Sequence, residues 1–586
     1  MTTTAEIRKV SNATITNWKR LGVDERTLTR RANKTESLLK VFPKNYLQNK
    51  ENLAKIAAVI SWGEENEIIL DDLVLAVAVK AVLNSDNVSN TNKKRFNDMY
   101  AVGIELPDNT LFDIDPNEHD YLGGLYQASK VEGTRNKNGL YYTPLNVVKM
   151  AIGNIHKESN FTYLDPAVGS GSFLIELVEQ GVPVSQLYGI DNDKIAVALS
   201  TANLLIKGDG KQFPNIVLGD FLVKKGTQFL PESYDIVVGN PPWGAKNLIY
   251  AGEGSILGVK ADSFAYFIES AVNVLNNGGA LTYVLPVSFM NVSNHSNIRK
   301  FLVENFTIKQ LQILPNLFEG VVSDVVILSV KNLTPQKNRI TFKKGDKIVQ
   351  SNQDWYGYKY NYNLLPISDL DAEIIAKYYE KGAHNLSGSR WALGVVTGDN
   401  KKYILNHATE NSEPIITGKE ISSFNVLPLK KHIEYHRENF QQVAPEEIYR
   451  ANEKLLYKFI SKDMIFSYDN KKRIPLNSAN VLIPNVIGQS TKTVLAFLNS
   501  SLYRYLYRAL FSSTKILRGD LEKLVFPELN NSLIVNVEAK VDEVMESDDS
   551  TTAAHELNQM IYDYFGFDNN EISRIREVVE KDAFGK

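Results

Sequence analysis

The chain has no cysteine in 586 residues. That excludes a disulfide framework, a thiolate nucleophile and a cysteine-ligated zinc site. It also removes chemistry in which a cysteine must attack a ring carbon, such as methylation at cytosine C5 by its usual route. No stretch reaches eighteen consecutive apolar residues, so no membrane partner is expected, and the polar start MTTTAEIRKV lacks the apolar core of a secretory signal. A G-x-x-x-x-G-K loop followed by Ser or Thr is missing as well, which argues against ATP-driven translocation by this chain. No metal-ligand spacing stands out, and no metal is expected. The net charge of -3 is too small to announce a nucleic-acid partner by itself. Its distribution is uneven: residues 401–523 hold 19 Lys and Arg against 12 Asp and Glu.

The length suggests about two to four domains of ordinary soluble composition, with 43% hydrophobic residues. Residues 5–22 read as two short helices around a turn, a helix-turn-helix or a plain helical hairpin, and apolar residues recur at helical spacing from about 36 to 105. Thr143-Pro144 is a sound helix start. Phe161 to Asp165 then forms a strand that runs into Pro166-Ala167-Val168-Gly169-Ser170-Gly171 and a helix. This is not a dinucleotide fingerprint, because its third glycine position is Leu174. The glycines nevertheless let backbone approach a ligand, and Asp165 sits where a carboxylate meets an ammonium group.

A second strand ends at Asp191, 20 residues after Gly171, the distance expected for an acid on ribose hydroxyls. A third ends at Asp220-Phe221, an acceptor and a ring for a purine. The fourth, Asp235 to Gly239, delivers Asn240-Pro241-Pro242-Trp243. At that corner the Asn240 side-chain oxygen and the Pro241 carbonyl can each accept an N–H of a ring amine, which concentrates its lone pair on nitrogen, while Trp243 offers a face for stacking. Any one strand-end Asp is commonly a helix cap. Three in succession before such a corner point to one ligand crevice at the carboxyl edge of an open α/β sheet.

The series Tyr-Tyr-Thr-Pro (141–144), Asp-Pro-Ala-x-Gly-x-Gly, Asp191, Asp220 and Asn-Pro-Pro-Trp resembles the bacterial adenine-N6 DNA methyltransferases, in the branch with catalysis first and target recognition after. That branch includes type I modification subunits and many type II enzymes. The resemblance implies an α/β Rossmann-like domain that uses S-adenosylmethionine, with a helical N-terminal region and a mixed α+β C-terminal target-recognition domain. The expected boundaries are 1–110, 111–345 and 346–586. It assigns Tyr142, Thr143 and Pro144 to the methionine end of the cofactor, with Asp165, Ala167, Gly169 and Gly171 along it, Asp191 on ribose, and Asp220 with Phe221 on adenine. Asn240, Pro241, Pro242 and Trp243 fall to catalysis at the target base, with Asn240 also counted among the cofactor-binding residues. His295, with Phe289 as competitor, is the aromatic group expected to help stack that base.

Duplex DNA is the implied partner, with a cognate restriction endonuclease or a separate specificity subunit left open, and the bacterial cytoplasm is the expected location. Lys471, Lys472, Arg473, Lys515 and Arg518 are expected on DNA. Cytosine-N4 methylation uses the same amine chemistry, and protein glutamine or ribosomal RNA amine methylation uses similar Asn-Pro-Pro-aromatic corners. The same chain also admits a fused nuclease at Glu528 and Glu538-Ala539-Lys540, or a DNA-binding protein on a decayed methyltransferase scaffold.

Overall fold

The computed structural model describes residues 46–130, 143–223, 226–228, 230–244, 255–257, 261–315, 324–357, 362–461, 463–511, 515–547 and 550–581. The expected helix-turn-helix at 5–22 and Tyr142 lie outside them. The described residues fall into two compact units divided between Pro366 and Ile367.

In the first unit, β1 (Tyr163–Asp165), β2 (Leu187–Asp191), β3 (Asn215–Leu218), β4 (Tyr234–Gly239), β5 (Leu275–Pro286), β6 (Thr307–Leu314), β7 (Val325–Lys331), β8 (Arg339–Lys344) and β9 (Lys347–Asn352) form one sheet. Its order is β3-β2-β1-β4-β5-β7-β6-β8-β9. The first five are parallel, with Leu164 in register with Tyr188 on one side and Val237 on the other, and β7 runs antiparallel between β5 and β6. Strands covered on both faces need continuous apolar runs, and Ile236, Val237 and Val238 of β4 supply one. The chain order reverses at β1, and in such a sheet the carboxyl ends beside the reversal open a crevice.

Helices α1 (Glu51–Glu65), α2 (Leu70–Asn84), α3 (Asn90–Tyr100) and α4 (Tyr121–Ser129) precede the sheet. Next come α5 (Leu145–Gly153), α6 (Ser172–Glu179), α7 (Lys194–Lys207), α8 (Ser263–Asn273) and α9 (Ser296–Asn305). Helix α2 is apolar nearly all round and buried from Leu73 to Val79. It shares a core with α1, α3, α4 and with Ala198, Leu199, Ala202 and Leu205 of α7. The described part of the segment expected as a separate 1–110 domain, from residue 46 on, is thus part of the first unit, because its apolar faces are covered by a helix of the sheet domain. Strand β9 pairs with β8 and carries that unit past the expected boundary at 345.

The second unit is mixed α+β. One sheet has the order β11-β18-β15-β16, from β11 (Arg390–Ala392), β15 (Lys454–Lys458), β16 (Phe466–Asp469) and β18 (Ala479–Ile483). Another is β12-β14-β13-β17, from β12 (Ile404–Leu405), β13 (Glu413–Ile416), β14 (Lys431–Ile433) and β17 (Ile474–Pro475), and β10 (Gly382–Asn385) pairs with β19 (Val525–Pro527). Its long helices are α10 (Asp369–Lys381), α11 (Thr491–Asn499), α12 (Ser501–Phe511), α13 (Asn531–Glu546), α14 (Ser550–Phe565) and α15 (Asn569–Lys581). Asp371 joins three of them, accepting from Tyr505 Oη at 2.7 Å and from Arg574 Nε at 2.8 Å. No helix among the described residues is long and apolar enough to cross a membrane.

Arg299 of α9 is wholly buried. Its guanidinium donates to the carbonyls of Phe289 at 2.9 Å, Val292 at 2.7 Å and Tyr362 at 2.8 Å, and to Asn363 Oδ1 at 3.0 Å. These partners are neutral, and desolvation lowers its pKa to about 9. The fork fastens the loop after β5 to residues 362–363. Arg299→Met leaves four acceptors, two of them in buried bonds, without their donor and should cost roughly 3 kcal/mol, with Arg299→Lys intermediate, read as lowered midpoints in urea and thermal unfolding.

Candidate active site

Strand ends supply every group at the carboxyl edge of the sheet. β1 ends at Asp165, which is 1% exposed and accepts the Ala167 N–H at 3.1 Å through Oδ1. A Cβ built on Gly239, the last residue of β4, would stand 2.6 Å from the same oxygen. Glycine at 239 is what lets the two strand ends close on each other. β2 ends at Asp191, whose carboxylate accepts the Gly169 N–H at 2.9 Å and the Asp193 N–H at 3.0 Å. Gly169 (φ +53°) and Gly171 (φ +93°) both adopt left-handed backbone, the conformation this turn requires to aim its amides at Asp191 and start α6.

Asp165 and Asp191 form no ion pair with a Lys, Arg or His among the described residues. Desolvation pushes Asp165 up to about 8, with the Asp191 charge adding to it and the Ala167 amide opposing. Asp191 is pushed up to about 6 by desolvation, against the amides of Asp193 and Gly169. Two carboxyls without a protein cation therefore flank a glycine turn, an arrangement that can receive a cationic, hydroxyl-bearing ligand.

At the neighbouring strand end, Asn240 is half-buried and its Nδ2 donates to Thr143 Oγ1 at 3.0 Å. Pro144 follows Thr143 at the entry of α5. Ser263 Oγ donates to the Pro242 carbonyl at 2.5 Å, and the Gly244 N–H donates to Asp262 Oδ1 at 2.9 Å. The Asn240–Trp243 corner is thus pinned on one side by the start of α5 and on the other by the start of α8. Pro241 is buried, and Trp243 is half-buried with its ring against the core that contains Val147, Val238 and Val284.

The remaining expected groups are placed differently. Asp220 lies just beyond β3 and caps its own turn through the Leu222 N–H at 3.0 Å. Phe221 is 8% exposed, its ring 5.9 Å from that of Phe267 in α8. His295 closes a 3-10 turn before α9 and packs 4.9 Å from Phe264, while Phe289 is wholly buried 6.2 Å from the same ring. Burial and the Arg299 charge lower the His295 pKa, against Asp262. Both rings belong to the packing around Phe264.

In the second unit Lys471 and Lys472 are exposed on the turn between β16 and β17, but Arg473 is turned inward onto Asp469 at 2.6 Å. Arg518 pairs with Glu522 at 2.8 Å, and exposed Lys515 bridges Ile460. Lys454 pairs with Asp469 across β15 and β16, whereas Ile460 follows the other end of β15. The two basic groups are therefore separated by roughly 20 Å of strand, and the structure does not bring them together. Lys540 of the nuclease-like spacing is held by Glu543 and Glu556, each at 2.6 Å.

Sequence reasoning missed Asp120. It is buried, caps α4 through the Gly123 N–H at 2.8 Å, and accepts from Tyr46, from Ser170 inside the glycine turn, and from Asn203 Nδ2 at 2.8 Å. Asn203 also donates to the Ser170 carbonyl at 2.9 Å. The signal was Gly123-Gly124 within a helix, a costly pair unless close approach is needed. A Cβ on Gly123 would collide with Asp120 and Ser170.

The fold agrees with comparisons to known proteins. The model of the N-6 DNA methylase family matches residues 117–390, and that of the TaqI-like C-terminal specificity domain matches 413–526. The type II methyltransferase M.VspI of Vibrio sp. (strain 343) is 28% identical over 315 residues, 51% of this chain and 75% of that protein. The type I restriction enzyme MjaVIII methylase subunit of Methanocaldococcus jannaschii is 25% identical over 299 residues, 46% of this chain and 49% of that one. In fold, the type IIL restriction-modification enzyme MmeI, solved in complex with DNA, has a TM-score of 0.57 at 14% identity, covering 89% of this chain and 93% of that chain. Residues 117–390 thus carry an N-6 DNA methylase domain and residues 413–526 a TaqI-like specificity domain, and the chain's relatives include methyltransferases of type I and type II restriction-modification systems.

Proposed function

We propose that this chain transfers a methyl group from S-adenosylmethionine to N6 of an adenine rotated out of duplex DNA. It acts at a specific sequence as the modification component of a restriction-modification system, in the bacterial cytoplasm. The observation that carries the reading is the pair of desolvated carboxyls, Asp165 and Asp191, beside a left-handed glycine turn and one strand away from Asn240. S-adenosylmethionine has an ammonium for Asp165, ribose hydroxyls for Asp191 and no phosphate to compete with either. When bound, it supplies an electrophilic methyl group on a sulfonium centre.

Asn240 Nδ2 donates to Thr143 Oγ1, and the amide oxygen lies on the opposite side. That oxygen and the Pro241 carbonyl accept the two N–H bonds of the adenine amine. The amine becomes tetrahedral and its lone pair points at the methyl group. Displacement is in line, and the proton leaves to water afterwards, so no covalent enzyme intermediate is required. Trp243 offers the exposed part of its ring to the base. Lys471, Lys472, Lys515 and Arg518 serve phosphates, with Arg473 retained as an internal ion pair.

Labelled methyl transfer to unmethylated DNA, followed by identification of the modified base, tests the reading: N6-methyladenine is expected, and N4-methylcytosine or no incorporation overturns it. Asn240→Ala should lower turnover by at least about 100-fold while the cofactor dissociation constant, measured by calorimetry, moves only a few-fold. The carboxyls add a pH dependence. Because protonated Asp165 cannot neutralise an ammonium, cofactor affinity should rise as pH increases from 6 to 8, by up to about tenfold per pH unit, with proton release on binding. Asp165→Asn should bind more weakly and flatten that slope; an affinity of the wild type that is level across the window would remove Asp165 from the ammonium.

A further inference from the structure

Behind the glycine turn, at the far end of α6, three electron-rich groups converge that the proposed reaction does not use. His119, Glu176 and Glu179 each offer a ligand atom, and these atoms lie within 4.8 Å of one another. His119 is 4% exposed, as is Glu176, while the Glu179 side chain is 37% exposed. Glu176 and Glu179 are three apart on α6 and so share a face.

The orientation of the imidazole is fixed. Its Nε2 lies 3.1 Å from the Ser172 carbonyl, an acceptor, so that nitrogen carries the proton. In the neutral ring Nδ1 then holds a lone pair, and it faces both oxygens of Glu179 at 3.3 Å. Lone pair against carboxylate is repulsive, so a proton or a metal cation must stand between them. Glu176 distinguishes the two occupants. Its Oε1 accepts from Gln180 Nε2 at 2.6 Å, but its buried Oε2 has no hydrogen-bond partner among the described residues. A single proton on His119 satisfies Glu179 alone and leaves that buried oxygen without a donor. Lys149 and Lys207 act on Glu179 only through their charge, and the Lys207 ammonium is given to the carbonyls of Pro116 and Glu118 at 2.9 Å each.

We propose that His119 Nδ1 and the carboxylates of Glu176 and Glu179 form a structural site for one divalent cation of the zinc class. The donor set is one imidazole nitrogen and two carboxylate oxygens, which suits zinc over magnesium. Ligand atoms on a tetrahedral zinc stand about 3.4 Å apart, close to the 3.3 Å already held between His119 and Glu179. The Ser172 carbonyl is the outer partner that a metal-bound imidazole generally needs on its other nitrogen. Such an ion clamps the segment just before Asp120 onto α6, and Asp120 in turn holds Ser170 in the glycine turn. It works as a clamp, remote from the transferred methyl group.

The test uses the full-length chain stripped with EDTA and titrated with zinc chloride alone by calorimetry, with magnesium chloride in parallel, and does not depend on methyl transfer. One zinc per chain is expected, together with a raised melting temperature and no comparable uptake of magnesium. Glu179→Gln, Glu176→Gln and His119→Gln should each weaken zinc binding more than about tenfold. Glu179→Gln alters a partly exposed side chain, so its circular dichroism should match the wild type and separate ligand loss from misfolding. Cobalt substitution should give visible absorption bands that Glu179→Gln loses. No zinc uptake by the wild type, or uptake equally tight in Glu176→Gln and Glu179→Gln, would overturn the site and identify the His119–Glu179 contact as a protonated ion pair only.

Discussion

Much of the first unit follows from two carboxyl groups held in a desolvated place with no Lys, Arg or His paired to them among the described residues. Asp165 and Asp191 end adjacent parallel strands, and among the described residues backbone amides compensate them, Ala167 for the first and Gly169 and Asp193 for the second. Amides are weak compensation for buried charge, so the free carboxyls rise to about 8 and about 6. In the proposed reaction, the energy withheld by leaving these groups unpaired is what a cationic cofactor would recover on binding. That strategy demands a rigid frame, since a mobile turn would let water or a lysine reach the acids.

The frame is visible in how the glycine turn is anchored. Ser170 is held by Asp120 and Asn203, and Gly171 sits so close to α7 that an added Cβ would meet the Cβ and Cα of Ser200 at 3.2 and 3.3 Å. Helices α1 to α4, which carry no chemistry, matter here because they bury Asp120 and Tyr46 in the same core as α7. The Asn240 corner is fixed from outside the strand as well, by Thr143 and by the Asp262–Ser263 pair. Two prolines stiffen the corner, and the Thr143 hydroxyl anchors the Asn240 side chain.

The parts of this design that repeat with the sheet were legible in the sequence. Parallel strands impose continuous apolar runs that end in polar residues at one edge, so Asp165, Asp191 and Asn240 could be located by counting from run to run. Groups fixed by tertiary packing carried no such period. Phe221, Phe289 and His295 read as aromatic candidates for a base, yet their rings are claimed by Phe267 and Phe264, a competition that spacing cannot show. Arg299 reads as an ordinary surface residue of an amphipathic helix until its four oxygen partners, two of them more than sixty positions away, are seen. Asp120 was hidden for the same reason, its acceptors being filled from 46, 170 and 203.

The second unit shows why a count of charges is a poor guide to a nucleic-acid surface. The positive excess of residues 401–523 includes Arg450 on Glu413, Lys454 and Arg473 on Asp469, Arg504 and Arg508 on Asp463, and Lys492 on Asp542. Each of these cations answers a carboxylate inside the fold, and the field of such a pair decays faster with distance than that of a lone charge. Asp469 is wholly buried and needs both of its partners, so Arg473 is no more available to a phosphate than Lys454 is. Lys471 and Lys472 stand on the same turn and are exposed because the turn bends around Asp469, with Lys472 in left-handed backbone and its carbonyl taken by Arg450 at 3.1 Å. An internal ion pair is thus what shapes the exposed basic turn: the buried acid consumes one of three adjacent cations and, in doing so, presents the other two to solvent.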